Sequence, residues 1–103
     1  MNTTAQITKE IKQTVLGIDP TAEVILFGSR ARGDFHEESD WDVLVLTDKE
    51  VDFIFKRKIT DQLYPLQLKW HEIISTIVYN RNWWQKLKPT EFYRQVTTGG
   101  ILL

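Results

Sequence analysis

The stretch from Val24 to Leu46 constrains this chain most. It reads Val-Ile-Leu-Phe-Gly-Ser-Arg-Ala-Arg-Gly-Asp-Phe-His-Glu-Glu-Ser-Asp-Trp-Asp-Val-Leu-Val-Leu. Val24 to Phe27 is short, apolar and β-branched at its start, which predicts a buried strand broken by Gly28-Ser29. Residues 29–33 begin a short helix, and Gly33 to Ser39 is a polar loop. Asp40-Trp41-Asp42 then opens the run Val43–Leu46, whose unbroken apolarity predicts a central strand covered on both faces. Two strands thus bring a small-residue turn and two carboxylates to one edge.

That juxtaposition has chemical consequences. Glycine at 28 lets a phosphate approach the backbone with no Cβ in the way. Ser29 adds a hydroxyl and an amide at the positive end of the following helix turn. Asp40 and Asp42, two residues apart at a strand entrance, project to the same side. Hard oxygens in such a pair suit Mg²⁺, which takes one or two carboxylates and completes its shell with water and substrate phosphate. The competing interpretation makes Gly28-Ser29 a plain turn and the aspartates a solvated strand entrance; the spacing and the flanking apolar runs weigh against it.

The flanking segments predict helices and one more strand. Residues 4–17 carry Ile7, Ile11 and Val15 at helical spacing, with Thr3 and Gln6 as a capping box and Gly17 as the stop before Asp19-Pro20. Thr47 and Glu50 form a second capping box for a helix whose face is Val51, Phe55, Ile59 and Leu63, ending before Pro65. Leu66, Leu68 and Trp70 alternate with polar residues, which predicts a long strand continuing through Ile73-Ile74 and Ile77-Val78. Trp83-Trp84 lie in a short polar-flanked segment, and Thr90–Thr98 is a last helix stopped by Gly99-Gly100. The order helix, strand, turn, strand, helix, strand, helix predicts an α+β or α/β fold over a single domain, residues 1–103.

Composition narrows the function classes. A net charge of −1, with 26% charged residues, gives no basic face for bulk nucleic acid. Zero cysteines excludes disulfides and thiolate metal sites and fits a cytoplasmic protein. No run reaches the length of a membrane span, and the polar N-terminus shows no signal-peptide core.

The residues Gly28-Ser29-Arg30-Ala31-Arg32-Gly33, then Ser39-Asp40-Trp41-Asp42 heading an apolar strand, resemble the minimal nucleotidyltransferase family of the DNA polymerase β superfamily. The hallmark of that family is a Gly-Ser pair, about ten residues, then Asp-x-Asp. The resemblance is most specific over residues 24–46 and implies a palm-like small mixed β-sheet with helices packed on it. It implies a nucleoside triphosphate donor (ATP), Mg²⁺ held by Asp40 and Asp42, and Gly28 and Ser29 on the triphosphate. Family members of this size often stand beside a small helical HEPN protein in a toxin–antitoxin pair. There the nucleotidyltransferase is the antitoxin and transfers AMP to a tyrosine of the toxin. A separate polypeptide acceptor would also account for the small size.

One feature departs from the family pattern. Active members carry a third carboxylate on a later strand, and the corresponding run here, Ile74-Ser75-Thr76-Ile77-Val78, holds none. Glu72 is the only acid nearby and is the candidate third catalytic residue, with a solvated edge glutamate as the alternative. Arg30 and Arg32 are candidates for phosphate contact, or for surface pairs with Asp34, Glu37 or Glu38. His36 and His71 lack ligand-spaced partners. Trp83, Trp84 and the tail Ile101-Leu102-Leu103 either close the core or form a patch for a partner helix or a second copy, which leaves a homo-oligomer open. Two functions compete: an adenylylating antitoxin-like enzyme, and a partner-binding module that neutralises its target by contact. A small-molecule transferase is a weaker third.

Overall fold

The computed structural model describes residues 3–103, the side chain of Thr3 excepted, so the expected Thr3/Gln6 capping box lies outside the described residues. Its elements are α1 (Thr3–Ile18), β1 (Glu23–Phe27), α2 (Ser29–Arg32), β2 (Trp41–Thr47), α3 (Phe53–Trp70), β3 (Ile74–Asn80), α4 (Arg81–Lys86), α5 (Glu91–Gly99) and β4 (Ile101–Leu102). The four strands form one sheet in the order β3-β2-β1-β4. β1 runs antiparallel to β2 and β4, and β2 runs parallel to β3 across the α3 crossover. This is the mixed α+β sheet that the element order and the resemblance predicted.

Alternation assigns the two faces. Val24, Leu26, Trp41, Val43, Val45 and Val78 meet Ile7, Ile11 and Val15 of α1 and Ile59 and Leu63 of α3. On the other face Leu44 and Leu46 meet Trp84 of α4 and Val96 of α5. Each such side chain, taken from water to near-zero exposure, contributes about 1.5–3 kcal/mol. β2 is therefore covered on both faces, as its unbroken apolar run predicted.

The structure corrects the segment from Thr47 to Ile73. Asp52, not Thr47, caps α3: its carboxylate accepts the Phe55 N–H at 2.8 Å. Thr47 is instead buried at the end of β2, where its hydroxyl donates to Asp19. The helix does not stop at Pro65 but runs through it to Trp70. Leu66 and Trp70 extend the 3–4 spacing of Ile59 and Leu63 and pack on the same core. The Trp70 indole and the Lys69 ammonium also bond Glu10 of α1. These contacts offset the cost of an interior proline, about 3 kcal/mol. Leu68, one of the alternating residues, is exposed. His71, in the left-handed region at φ 54°, ends the helix, and the strand starts only at Ile74.

The two tryptophans separate. Trp84 is buried, tilted against Tyr93 at 4.7 Å, while Trp83 is half exposed. Part of the tail joins the sheet: Ile101 and Leu102 pair with Leu26 and Ile25.

Candidate active site

At the end of β1 the chain turns through Gly28, whose φ of 74° favours glycine. A Cβ there would overlap Asp42 Oδ2, with the carboxyl carbon at 3.1 Å. The bare backbone is thus what lets the turn close over the carboxylate. The Ala31 and Arg32 amides both donate to the Gly28 carbonyl at 3.1 Å, which sets α2, and Ser29 heads it with no hydrogen bond from its hydroxyl among the described residues.

Asp42 stands in β2 between Phe27 of β1 and Ser75 of β3. Asp40 lies just before the strand, and its Oδ2 accepts the Ser75 hydroxyl at 3.2 Å. Burial, and then the neighbouring Asp40 charge, push the Asp42 carboxyl above the usual carboxylate range, against the pull of Arg32. Two oxygen donors that repel each other in a half-buried position fit a hard divalent cation shared with phosphate. Among the described residues no third histidine, cysteine, aspartate or glutamate joins them in a metal-holding group.

Glu72 and Arg30 stand together beside the loop. Glu72 precedes β3 rather than standing on it and pairs with Arg30 at 3.6 Å. The Arg30 side chain is only 7% exposed. Its guanidinium donates to the carbonyls of Ser39 (3.1 and 3.2 Å) and Glu37 (3.3 Å) and lies over the rings of Trp41 and Phe35. Arg30 thus ties down the loop that delivers Asp40 and Asp42. Arg32 stays half exposed, holds Asp34 at 3.4 Å, and lines a cavity of about 120 Å³ with Phe27, Gly28, Phe92, Gln95 and Gly99.

Three features of this site were not foreseen. Ser75 becomes visible only once β3 is placed in register with β2. Phe92 and Gln95 reach the Gly28 turn because α5 folds back across the sheet, an arrangement with no local sequence signal.

The fold and the paired carboxylates define a nucleotidyl-transferring domain, and residues 6–96 match the nucleotidyltransferase domain family, to which this chain belongs. Among its relatives, Putative protein adenylyltransferase MJ0141 of Methanocaldococcus jannaschii is 39% identical over 93% of this chain and 94% of its own length. MJ0604 of the same organism, named in the same way, is 37% identical over 79% of this chain and 76% of its own. Two mutant forms of the toxin–antitoxin MntA-HpeT superpose with TM-scores of 0.59 and 0.62 at 20% and 21% identity. They cover 91% and 93% of this chain, and 69% and 70% of theirs. A toxin–antitoxin with AMP-PNP gives 0.60 at 22% identity, over 91% of this chain and 69% of its own. These likenesses establish the fold.

Proposed function

We propose that this chain is an antitoxin-like adenylyltransferase: it moves AMP from ATP onto a hydroxyl of a HEPN-type protein partner, using residues 1–103 as one catalytic domain. The observation that carries this is the closure of the Gly28 turn over Asp42, with Asp40 alongside. The relatives' name, protein adenylyltransferase, supports the reaction type. The toxin–antitoxin neighbours, one with AMP-PNP and one with two aspartates two residues apart changed to glutamate, support the partner class and the site.

Asp40 and Asp42 would hold Mg²⁺, whose chemistry when bound is to activate the attacking hydroxyl and steady the leaving pyrophosphate. Gly28 admits the polyphosphate to within reach of Asp42, and the free Ser29 hydroxyl bonds its oxygens. Arg32 neutralises charge from the open side, which a guanidinium fork does well. Phe92 and Gln95 bound the side on which the nucleoside rests. Arg30 and, through it, Glu72 hold the loop in place.

A second interpretation follows from Ser75. It occupies the position beside Asp42 where an acid would deprotonate the acceptor. A chain lacking that base would bind nucleotide and partner and neutralise by contact.

One experiment separates them. Purified protein, Mg²⁺ and ATP labelled at the α-phosphate are added to an extract of the source cells, wild type beside Asp42→Asn. A discrete labelled protein seen only with wild type is the expected result. The enzymatic interpretation fails if no protein is labelled while the Asp40→Asn/Asp42→Asn variant still neutralises the partner.

A further inference from the structure

The sheet has one long open edge. β4 closes the far side with two residues, whereas β3 runs for seven with only β2 beside it. Its sequence, Ile-Ser-Thr-Ile-Val-Tyr-Asn, has no charge and no proline, and its pairing with β2 is unbroken. None of the usual devices that keep an edge from pairing is present in the strand itself.

The direction of its free groups is fixed by one bond. The Trp41 N–H donates to the Ile73 carbonyl at 2.8 Å, so Ile73, Ser75, Ile77 and Tyr79 turn their backbone groups to β2. Ile74, Thr76 and Val78 therefore turn theirs outward. Gln67 Oε1 accepts the Ile74 N–H at 2.9 Å. The Thr76 and Val78 amides have no hydrogen-bond partner among the described residues. Two hollows flank them. One, of about 320 Å³, lies against Lys56 and Thr60 of α3; the other, of about 550 Å³, opens toward Trp83.

We propose that this edge binds a second copy of the same chain, with the two β3 strands antiparallel about a two-fold axis at Ile77. Thr76 and Val78 of one copy then exchange hydrogen bonds with Val78 and Thr76 of the other. The strand's own ends argue for this occupant. Ile73, 60% exposed before β3, falls opposite Arg81 of the second copy, where α4 presents Trp83, 52% exposed. The two-fold brings these apolar side chains together twice and covers both ends at once. A single foreign strand carries no such obligation.

The helix alongside is self-complementary too. Phe53, Lys56, Thr60, Tyr64 and Gln67 share one stripe of α3 by their spacing. A two-fold near Thr60 sets Lys56 beside the exposed ring of Tyr64 and opposes no like charges. Ser75, which donates to Asp40, then has Tyr79 of the second copy beside it, so each candidate site is bounded by both copies.

The absence of cysteine makes the test direct. Ile77 faces its own counterpart in a non-hydrogen-bonded pair, where Cα atoms stand about 4.5 Å apart, within disulfide reach. Oxidised Ile77→Cys should run on a denaturing gel at twice the 12.1 kDa of one chain, while Thr76→Cys, which faces Val78, should not. Wild type should sediment as a dimer. Ile73→Glu and Trp83→Lys, both at exposed positions, should keep the native circular dichroism and sediment as monomers, and mixing them should restore a dimer through the Glu–Lys pair. A monomeric wild type at about 100 µM overturns the proposal. So does cross-linking of Ile77→Cys no better than Thr76→Cys, or capture of this edge by a strand of another protein while the chain stays single. None of these readouts depends on nucleotidyl transfer.

Discussion

Gly28 lies so close to Asp42 that a single added methyl would overlap the carboxylate. The turn and the strand meet at that point, which makes position 28 a test of geometry. Gly28→Ala should cost about 1–3 kcal/mol from its positive φ and displace Asp42, lowering transfer about a hundredfold. Gly33 also has a positive φ, 88°, but nothing within 4 Å of a Cβ. Gly33→Ala should destabilise comparably and leave the rate per folded molecule unchanged. Urea titration and a labelled-ATP assay on both variants compare the two effects.

Asp42→Asn should abolish transfer, by about a thousandfold or more, while raising thermal stability in the absence of Mg²⁺. Burial and Asp40 raise the folded pKa of this carboxyl, so its ionisation opposes folding. The cost is absent below the unfolded value, grows as pH rises through the folded one and persists above it. Wild type should therefore gain more melting temperature from added Mg²⁺ at pH 7 than Asp42→Asn does. Equal gains would remove Asp42 from the cation site.

Asp19 titrates in the opposite sense. Burial pushes its carboxyl up, but hydrogen bonds from Thr47 and from the Thr21 hydroxyl and amide, with the Lys49 charge, more than offset this and hold it below the usual range. Its contribution is present above the unfolded pKa and lost as pH falls through the folded one. Asp19→Asn should cost about 1–3 kcal/mol at pH 7 and flatten the acid limb of the stability curve below about pH 4. Chemical denaturation across pH 3–7 reads both.

Arg30 and Glu72 should behave differently although they touch. Arg30→Gln removes the guanidinium that ties Ser39 and Glu37 and lies over Trp41. It should lower kcat/KM about tenfold or more and lower the melting temperature. Glu72→Gln gives up one partly exposed contact at 3.6 Å and should change kcat/KM by less than about threefold. A large loss from Glu72→Gln alone, at unchanged stability, would mark it as the third catalytic carboxylate.

Local sequence proved sufficient where the relevant contacts are local. Val24–Phe27, Gly28-Ser29 and Asp40-x-Asp42 each carry their own signal, because strand alternation and turn stereochemistry act over a few residues. The Leu66, Leu68, Trp70 alternation misled for the converse reason. Leu66 and Trp70 also fit a helix with Ile59 and Leu63, and packing against α1, with Glu10 bonding Lys69 and Trp70, decides between two periods that the same letters satisfy.

Sequence by itself determined the class of this protein: a Gly-Ser turn after a strand, a carboxylate pair at a strand entrance, and enough alternating apolar residues to make a covered sheet. Tertiary structure alone decided how the site is completed. It put Ser75 rather than an acid in register with Asp42, turned Arg30 onto the loop, brought Phe92 and Gln95 to Gly28, and left β3 with one side open. Each depends on residues tens of positions apart meeting in space, and that is fixed by how helices and strands bury one another.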